Sequence, residues 1–171
     1  MIVARHDSPV GPLLLAGDGV SLQIIGFQSG KGRVTASASW HERPDAFPDV
    51  RRQLDEYFAG TRRTFDFPLA PAGTPFQLQV WEALLQIPYG ETWSYRQLAA
   101  AVGNVQAVRA VGLANGRNPL PIVIPCHRVI GSNGSLTGYG GGLATKQALL
   151  ALERRWVSNG GQLDLWLSDP A

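Results

Sequence analysis

The sequence predicts a two-domain α+β protein, with an antiparallel β-sheet and one packed helix in residues 1–72 and a helical domain in residues 73–171. Short apolar segments separated by turns rich in proline and glycine occupy the first 27 residues, a pattern typical of a strand meander. Helical spacing and helix-capping patterns dominate the second half. At 171 residues the chain is long enough to bury a core without disulfide bonds.

The rest of the N-terminal domain predicts one loop and one helix. Residues 28–45 are small, polar and aperiodic, so we expect a loop there. Residues 46–60 predict a helix that packs on the sheet. Its apolar positions share one helical face and are Val50, Leu54, Tyr57 and Phe58. The turn-rich stretch FDFPLAPAG then connects the two domains.

Two capping boxes organise the C-terminal domain. Residues 74–77, TPFQ, form the first box and open a helix that ends at a PYG motif. Residues 94–97, SYRQ, form the second box and open a short helix through Val102, which Gly103 ends in a left-handed conformation. The pattern predicts a further helix over 104–116, and the pair has the outline of a helix-turn-helix. Many helical hairpins that bind nothing share this outline.

The helix predicted over 104–116 has an unusually bare surface around Arg109. Its small residues are Ala107, Ala110, Gly112 and Ala114. A helix without bulky side chains can lie very close to another surface. Composition alone does not decide whether that surface is a neighbouring helix or an external partner. A last helix is expected over 143–156, followed by a tail, 157–171, that predicts a surface strand or ordered coil.

Charge is distributed unevenly along the chain. Residues 92–155 hold seven basic residues and one acid, whereas both flanking segments carry a net charge of −2. Such an asymmetry favours a polyanionic partner, nucleic acid first, although a solvated basic surface explains it equally well. The N-terminus lacks the apolar core of a signal peptide and no segment has the length of a membrane span, so we expect a cytoplasmic protein with no membrane partner.

The only cysteine, Cys126, lies in the motif IPCHRVIG. A lone cysteine excludes an internal disulfide, and with three histidines it offers no zinc-ligand spacing. A reactive thiol needs a base or a positive field, and His127 and Arg128 follow directly. Neighbours on a strand point to opposite faces, so His127 needs a sharp turn or a bridging water to act on the thiol. A buried, inert cysteine is the alternative interpretation.

Two other features bear on this cluster. Glu153, the only acid of the basic block, could hold the imidazole of His127 in one tautomer. The glycine run of residues 138–142 lacks the spacing of a phosphate-binding loop, and instead favours close backbone approach to a flat ligand, with Tyr139 as a wall. A cysteine hydrolase ranks low, because adjacent Cys and His make poor geometry for it.

These motifs resemble the O6-alkylguanine-DNA alkyltransferases. The similarity runs from about residue 74 to residue 153 and includes FQLQVWEALLQIPYGETWSY, RAVGLANGRNPLPIVIPCHRVIG and TGYGGGLATKQALLALE; SPVGPLLLAG and EYFAG match more loosely. The resemblance implies a ribonuclease-H-like N-terminal domain and a winged-helix-like C-terminal domain. The zinc site that some relatives have in the N-terminal domain cannot exist here, because its cysteines are absent.

The resemblance also implies a reaction. Family members move an alkyl group irreversibly from O6-alkylguanine in DNA, mainly O6-methylguanine with O4-methylthymine as a second candidate, onto their own cysteine, without cofactor or metal. Cys126 is then the acceptor, His127 its base through a water, and Glu153 the group that orients His127. Tyr95 donates to guanine N3. A branch of the family binds lesions without repairing them, so a non-catalytic lesion-binding module is the alternative.

Recognition of the lesion follows from the same resemblance. The carbonyls of Cys126 and Val129 accept from the exocyclic amine of guanine, and the N–H of Gly140 approaches O6. Arg109 replaces the flipped base while its helix lies in the minor groove, which requires the bare surface described above. Asn118 braces the two helices and the active-site strand. The expected partner is double-stranded DNA, bound by a protein that is monomeric when free, with cooperative assembly on DNA as an open option.

Overall fold

The computed structural model describes residues 1–158, which form an α+β fold. A four-stranded sheet has the order β3-β2-β1-β4. The strands are β1 (Ile2–His6), β2 (Leu13–Gly17), β3 (Leu22–Phe27) and β4 (His41–Glu42). The first three pair antiparallel, which confirms the predicted meander.

Strand β4 corrects the prediction that residues 28–45 are entirely loop. It pairs parallel with β1, and the amide of His41 donates to the carbonyl of Met1 at 2.9 Å. Two exposed residues that pair only through their backbone leave no hydrophobic alternation in the sequence, so the pattern could not reveal this strand. The same segment covers one face of the sheet, because Val34 and Trp40 pack against buried Val3 and Leu14.

The other face of the sheet packs on α1 (Pro48–Phe58). Val50, Leu54 and Tyr57 are buried along it, as their spacing predicted. Gly60 follows with φ of +80°, a left-handed conformation that an L side chain rarely adopts. The helix predicted for the N-terminal half is thus confirmed.

Four more helices and a short strand pair build the C-terminal half. They are α2 (Pro75–Leu84), β5 (Trp93–Ser94), α3 (Tyr95–Ala101), α4 (Val108–Gly116), β6 (Val129–Ile130) and α5 (Leu143–Ser158). Both predicted capping boxes are present, at Thr74 and Ser94. Gly103 has the predicted positive φ, of +84°. Helix α4 begins later than predicted, because Asn104 forms a turn instead, accepting from the amide of Gln106 at 3.0 Å.

One continuous hydrophobic core joins the two halves. It contains residues of the sheet, of α1 and of α2 to α5. A backbone hydrogen bond also crosses between the halves, because the amide of Ile25 donates to the carbonyl of Pro119 at 2.9 Å. The boundary at residues 72 and 73 stays a prediction, since the core does not mark it.

Helix α5 extends two residues beyond its predicted end at 156. Val157 and Ser158 belong to this helix, which corrects the predicted strand or coil at the start of the tail; residues 159–171 lie outside the described part of the chain. Within residues 1–158 no helix combines the length and apolar character that crossing a membrane requires.

Candidate active site

Cys126 lies on a 3-10 helix, Cys126–Arg128, rather than on a strand. The apolar run before it turns sharply, with φ of +76° at Ile122, and the amide of Ile124 donates to the carbonyl of Leu120 at 2.9 Å. The prediction of an active-site strand is therefore wrong. Prolines at 119, 121 and 125 lack backbone N–H groups and restrict φ, so this segment cannot form a regular strand despite its β-branched residues.

The sharp turn brings His127 and Arg128 onto one carboxylate. Nε2 of His127 lies 2.9 Å from Oε1 of Glu153, and Nη2 of Arg128 donates to the same oxygen at 2.7 Å. The hydroxyl of Tyr57, from α1, donates to it at 3.0 Å. All four side chains are buried. The structure thus joins the two residues that the sequence proposed as a base and its orienting group, and it adds Arg128 to the same buried carboxylate.

Electrostatics in this cluster hold Glu153 as an anion. Burial alone would raise the pKa of Glu153, but hydrogen bonds from His127 and Arg128, together with the positive charge of Arg128, lower that pKa to about 2. A carboxylate can only accept, so Nε2 of His127 carries the proton of that hydrogen bond. The tautomer leaves Nδ1 as an acceptor, and this buried atom has no hydrogen-bond partner among residues 1–158.

Burial keeps both His127 and Cys126 neutral. It lowers the pKa of His127, against the opposing effect of Glu153. Burial likewise raises the pKa of the Cys126 thiol, although Asn118 and the positive charge of Lys146 partly offset this. The resting site therefore contains a thiol and a neutral imidazole, so a thiolate forms only when the imidazole takes up the proton.

A cavity of about 290 Å³ opens beside the thiol. Cys126, Tyr139 and Gly140 line it, together with Asn118 and Phe27 of β3. The ring of Tyr139 lies 5.6 Å from that of Phe27, so this tyrosine forms a wall, as the sequence proposed. The amide N–H of Gly140 has no backbone acceptor among the described residues. The cavity can thus hold a flat molecule between a ring, a glycine backbone and a nucleophile.

The surface outside the cavity presents Tyr95 and α4. The hydroxyl of Tyr95 lies 3.1 Å from Oγ1 of Thr137, and its ring packs near Gly112. Arg109 and Ala110 are exposed, whereas Ala107 and Gly112 are half-buried.

Two sequence expectations for this region need correction. Ala114 is buried and its carbonyl accepts from Nε1 of Trp81 at 2.9 Å, so it does not belong to the exposed bare face. Leu113, at 60% exposure, does project from α4, although the composition stressed small residues. The bare surface is therefore narrower than predicted.

Asn118 braces the segment before the thiol rather than two helices and a strand. Its Nδ2 donates to the carbonyl of Ile124 at 2.7 Å, and its Oδ1 accepts from the amide of Leu120 at 2.9 Å. Both bonds hold the irregular turn that leads to Cys126. The predicted brace between helices is therefore corrected to a local one.

Comparison with known proteins decides the family. Residues 75–155 match the model of the 6-O-methylguanine DNA methyltransferase DNA binding domain, and residues 1–71 match that of its ribonuclease-like domain. The chain belongs to the 6-O-methylguanine DNA methyltransferase family. The resemblance stated from the motifs is thereby confirmed.

Relatives of this methyltransferase-family chain match over nearly its whole length. A methylated-DNA–protein-cysteine methyltransferase of Methanosarcina acetivorans is 53% identical over 153 residues, covering 90% of this chain and 98% of that protein. One from Mycobacterium tuberculosis H37Rv is 51% identical over 148 residues, covering 86% and 89%. The crystal structure of M. tuberculosis OGT in complex with DNA superposes with a TM-score of 0.86 at 49% identity, covering 91% of this chain and 94% of that chain.

Sequence reasoning missed two residues that contact the candidate site, Lys146 and Tyr57. Lys146 is fully buried, and its Nζ donates to the carbonyls of Val129 at 2.6 Å and Thr137 at 3.0 Å. Tyr57 was assigned only to the core, although its hydroxyl reaches Glu153. The signal for Lys146 was available: it precedes buried Leu149, Leu150 and Glu153 at spacings of three, four and seven, which places it on the inward face of α5.

Proposed function

We propose that this protein repairs O6-alkylguanine in double-stranded DNA by moving the alkyl group irreversibly onto Sγ of Cys126. The proposal rests on the buried hydrogen bond between Glu153 and Nε2 of His127, beside a cavity that the thiol lines. Nδ1 of His127 has no hydrogen-bond partner among residues 1–158 and is available to accept a proton. A base oriented by a carboxylate is the arrangement that activates a neutral nucleophile. Family membership supports the same reaction.

The chemistry requires one proton transfer and one displacement. Nδ1 of His127 takes the thiol proton through a water, and the anionic Glu153 stabilises the imidazolium that forms. The sulfur then attacks the alkyl carbon, the S–C bond forms, and the C–O6 bond breaks with its electron pair on guanine. Tyr95 donates a hydrogen bond to N3 and Gly140 one to O6, so that the departing base does not leave as a bare anion. Neither step needs a metal or a cofactor.

The backbone around the thiol recognises the base. The carbonyl of Cys126 accepts from the amide of Val129, and the carbonyl of Val129 accepts from Nζ of Lys146. A carbonyl oxygen has two lone pairs, so each retains one for the exocyclic amine of guanine. O4-methylthymine lacks that amine, and we therefore assign it a slower reaction.

A buried thiol requires the target nucleotide to leave the duplex. Unstacking costs a few kcal/mol, and Arg109 fills the space left in the stack. Ala107, Ala110 and Gly112 let α4 lie in the minor groove, which is roughly 6 Å wide. The net positive charge of residues 92–155 and the relative solved with DNA support this partner. Free protein is monomeric in this proposal, and assembly of several copies on DNA stays a prediction.

Intact mass spectrometry tests the proposal. The protein is incubated with a duplex that contains one O6-methylguanine, and Cys126→Ser serves as the matched control. The expected result is the gain of one methyl group, located on Cys126 and absent from the control. Tight binding to the lesion without a change in mass would support the lesion-binding module instead. The same assay with a duplex that contains one O4-methylthymine measures transfer from the second candidate substrate.

A further inference from the structure

Residues 28–34 of the N-terminal half lie against the glycine-rich turn of the active site, and the proposed reaction gives them no role. The amide of Gly32 donates to the carbonyl of Gly140 at 2.9 Å. A Cβ on Gly32 would lie 2.5 Å from Cα of Gly140 and 2.7 Å from its carbonyl oxygen. Both are backbone atoms that cannot swing aside as a flexible side chain would, so a Cβ at this position must push the two backbone segments apart.

The turn is held from both sides. A Cβ on Gly30 would lie 3.0 Å from the carbonyl oxygen of Gly140, and one on Gly141 would lie 2.8 Å from the ring of Phe27. Phe27 ends β3, and its carbonyl accepts from the amide of Val34 at 3.0 Å, which closes the segment back on the sheet. We name this contact of Gly30, Gly32 and Phe27 with residues 140–142 the glycine clasp.

A hydrogen bond inside the clasped turn sets the direction of the Gly140 amide. The amide of Gly142 donates to the carbonyl of Tyr139 at 2.9 Å, and the N–H of a trans peptide points opposite to its C=O. The N–H of Gly140 therefore faces away from that bond and finds no backbone acceptor among residues 1–158. Gly140 also lines the cavity with Cys126.

We propose that Gly32 is a positioning residue, which holds Gly140 with its amide N–H directed at O6 of the bound lesion. The inference rests on the function proposed above and extends it, because it gives the N-terminal half a part in the reaction. The residues before the turn are mostly exposed. They are attached through Thr137, whose carbonyl accepts from Nζ of Lys146 and whose hydroxyl hydrogen-bonds to that of Tyr95. Gly32 supplies the second attachment, from a strand-supported segment. A site on a rigid support keeps its donors aligned, and a misplacement of about 1 Å can cost roughly a hundredfold in rate.

Gly32→Ala tests the inference, because its backbone lies outside the left-handed region and accepts alanine, so the variant perturbs only the contact. Lys31→Ala, at the exposed neighbouring position, is the matched control. Affinity for the O6-methylguanine duplex is measured in a Cys126→Ser background, and the transfer rate is measured separately with protein in saturating excess. For Gly32→Ala we expect the rate to fall about tenfold or more while affinity changes less than about twofold. The control should match the wild type in both.

Hydrogen exchange and thermal melting separate positioning from general support of the fold. Gly32→Ala should speed amide exchange in residues 131–142 and leave exchange in α1 and α5 and the melting temperature near wild type. A wild-type transfer rate in Gly32→Ala would overturn the inference. So would equal losses of rate and affinity, or faster exchange throughout the protein. If the wild type itself transfers no methyl group, the proposed function fails, and exchange in residues 131–142 still decides whether Gly32 holds the turn.

Discussion

Nε2 of His127 lies 2.9 Å from Oε1 of Glu153, with both side chains buried. A neutral imidazole beside a carboxylate is not an ion pair at rest. It becomes one only when Nδ1 takes up a proton, which the low pKa of Glu153 makes favourable because the carboxylate stays ionised. Glu153 therefore faces a neutral imidazole until the thiol gives up its proton, and only then does it face an imidazolium cation.

The pH dependence of alkyl transfer follows from the pKa of His127. Burial lowers that pKa from its ordinary value of 6.5, so the imidazole stays neutral and able to accept a proton at neutral pH. The rate should rise from acidic pH, level off, and show its inflection below 6.5. Stopped-flow measurement of methyl transfer between about pH 5 and 9 checks this. An inflection at or above 6.5 would contradict the assignment of His127 as a neutral base.

Stability toward acid should depend on Glu153. Its pKa is depressed from 4.5 to about 2 in the folded protein, so its contribution is complete above 4.5 and is lost as the pH falls toward 2. Glu153→Gln removes this contribution and leaves buried Arg128 unpaired, which we expect to cost about 3–5 kcal/mol of unfolding free energy at neutral pH. Urea denaturation at pH 7 and pH 3 measures both effects. Glu82→Gln, exposed on α2, is the matched control and should change neither.

Local patterns predicted the fold where neighbouring residues decide the structure. The capping boxes at Thr74 and Ser94 satisfy helix-end amides within four residues, and Gly60 and Gly103 supply positive φ, so both signals lie within a short window. The edge strand β4 depends on backbone pairing with a distant strand, and no side-chain pattern marks it.

The candidate site divides along the same line. The residue types of the site could be predicted from the sequence, because a thiol, an imidazole and a carboxylate that occur together in one basic segment have few possible roles. Their contacts could not be predicted, since Tyr57 reaches Glu153 across 96 positions and Gly32 reaches Gly140 from the other half of the chain. The irregular turn before Cys126 was missed because the β-branched residues between its prolines are typical of a strand.

Lys146 should support both the thiolate and the loop. Its buried ammonium donates to Val129 and Thr137, and its charge favours ionisation of Cys126. Lys146→Met keeps the length of the side chain but loses these effects, so we expect transfer to slow about tenfold or more and stability to fall by about 1–3 kcal/mol from the unpaired carbonyls. Transfer kinetics and urea denaturation measure this. Lys31→Met, at an exposed position, is the control, and equal rates in the two variants would argue against a role for Lys146.

Tyr95→Phe should slow transfer and leave DNA affinity nearly intact. The hydroxyl contributes when charge develops on the departing guanine, and removal of one such donor costs roughly a hundredfold to a thousandfold in rate. The same hydroxyl also bonds Thr137, so loop disorder is a competing cause. Thr137→Val removes that bond and keeps the Tyr95 hydroxyl. If Tyr95→Phe transfers slowly and Thr137→Val transfers at a near-normal rate, the hydroxyl acts on the substrate. If both variants are slowed equally, the hydroxyl acts by ordering the loop.

Arg109→Ala should separate extrusion of the base from the chemistry on it. Arg109 is exposed on α4 and lies outside the Glu153 cluster, so its loss leaves the nucleophile and base unchanged. We expect transfer from duplex O6-methylguanine to fall at least about tenfold, because the flipped state loses the group that fills the stack, while reaction with the free base O6-methylguanine stays near wild type. Arg96, exposed on α3, provides the control, because Arg96→Ala removes a charge of the same sign. It should lower the rate of transfer from duplex DNA only modestly, and this loss should disappear at high salt concentration. Equal losses on duplex and free base would place Arg109 in the chemistry rather than in extrusion.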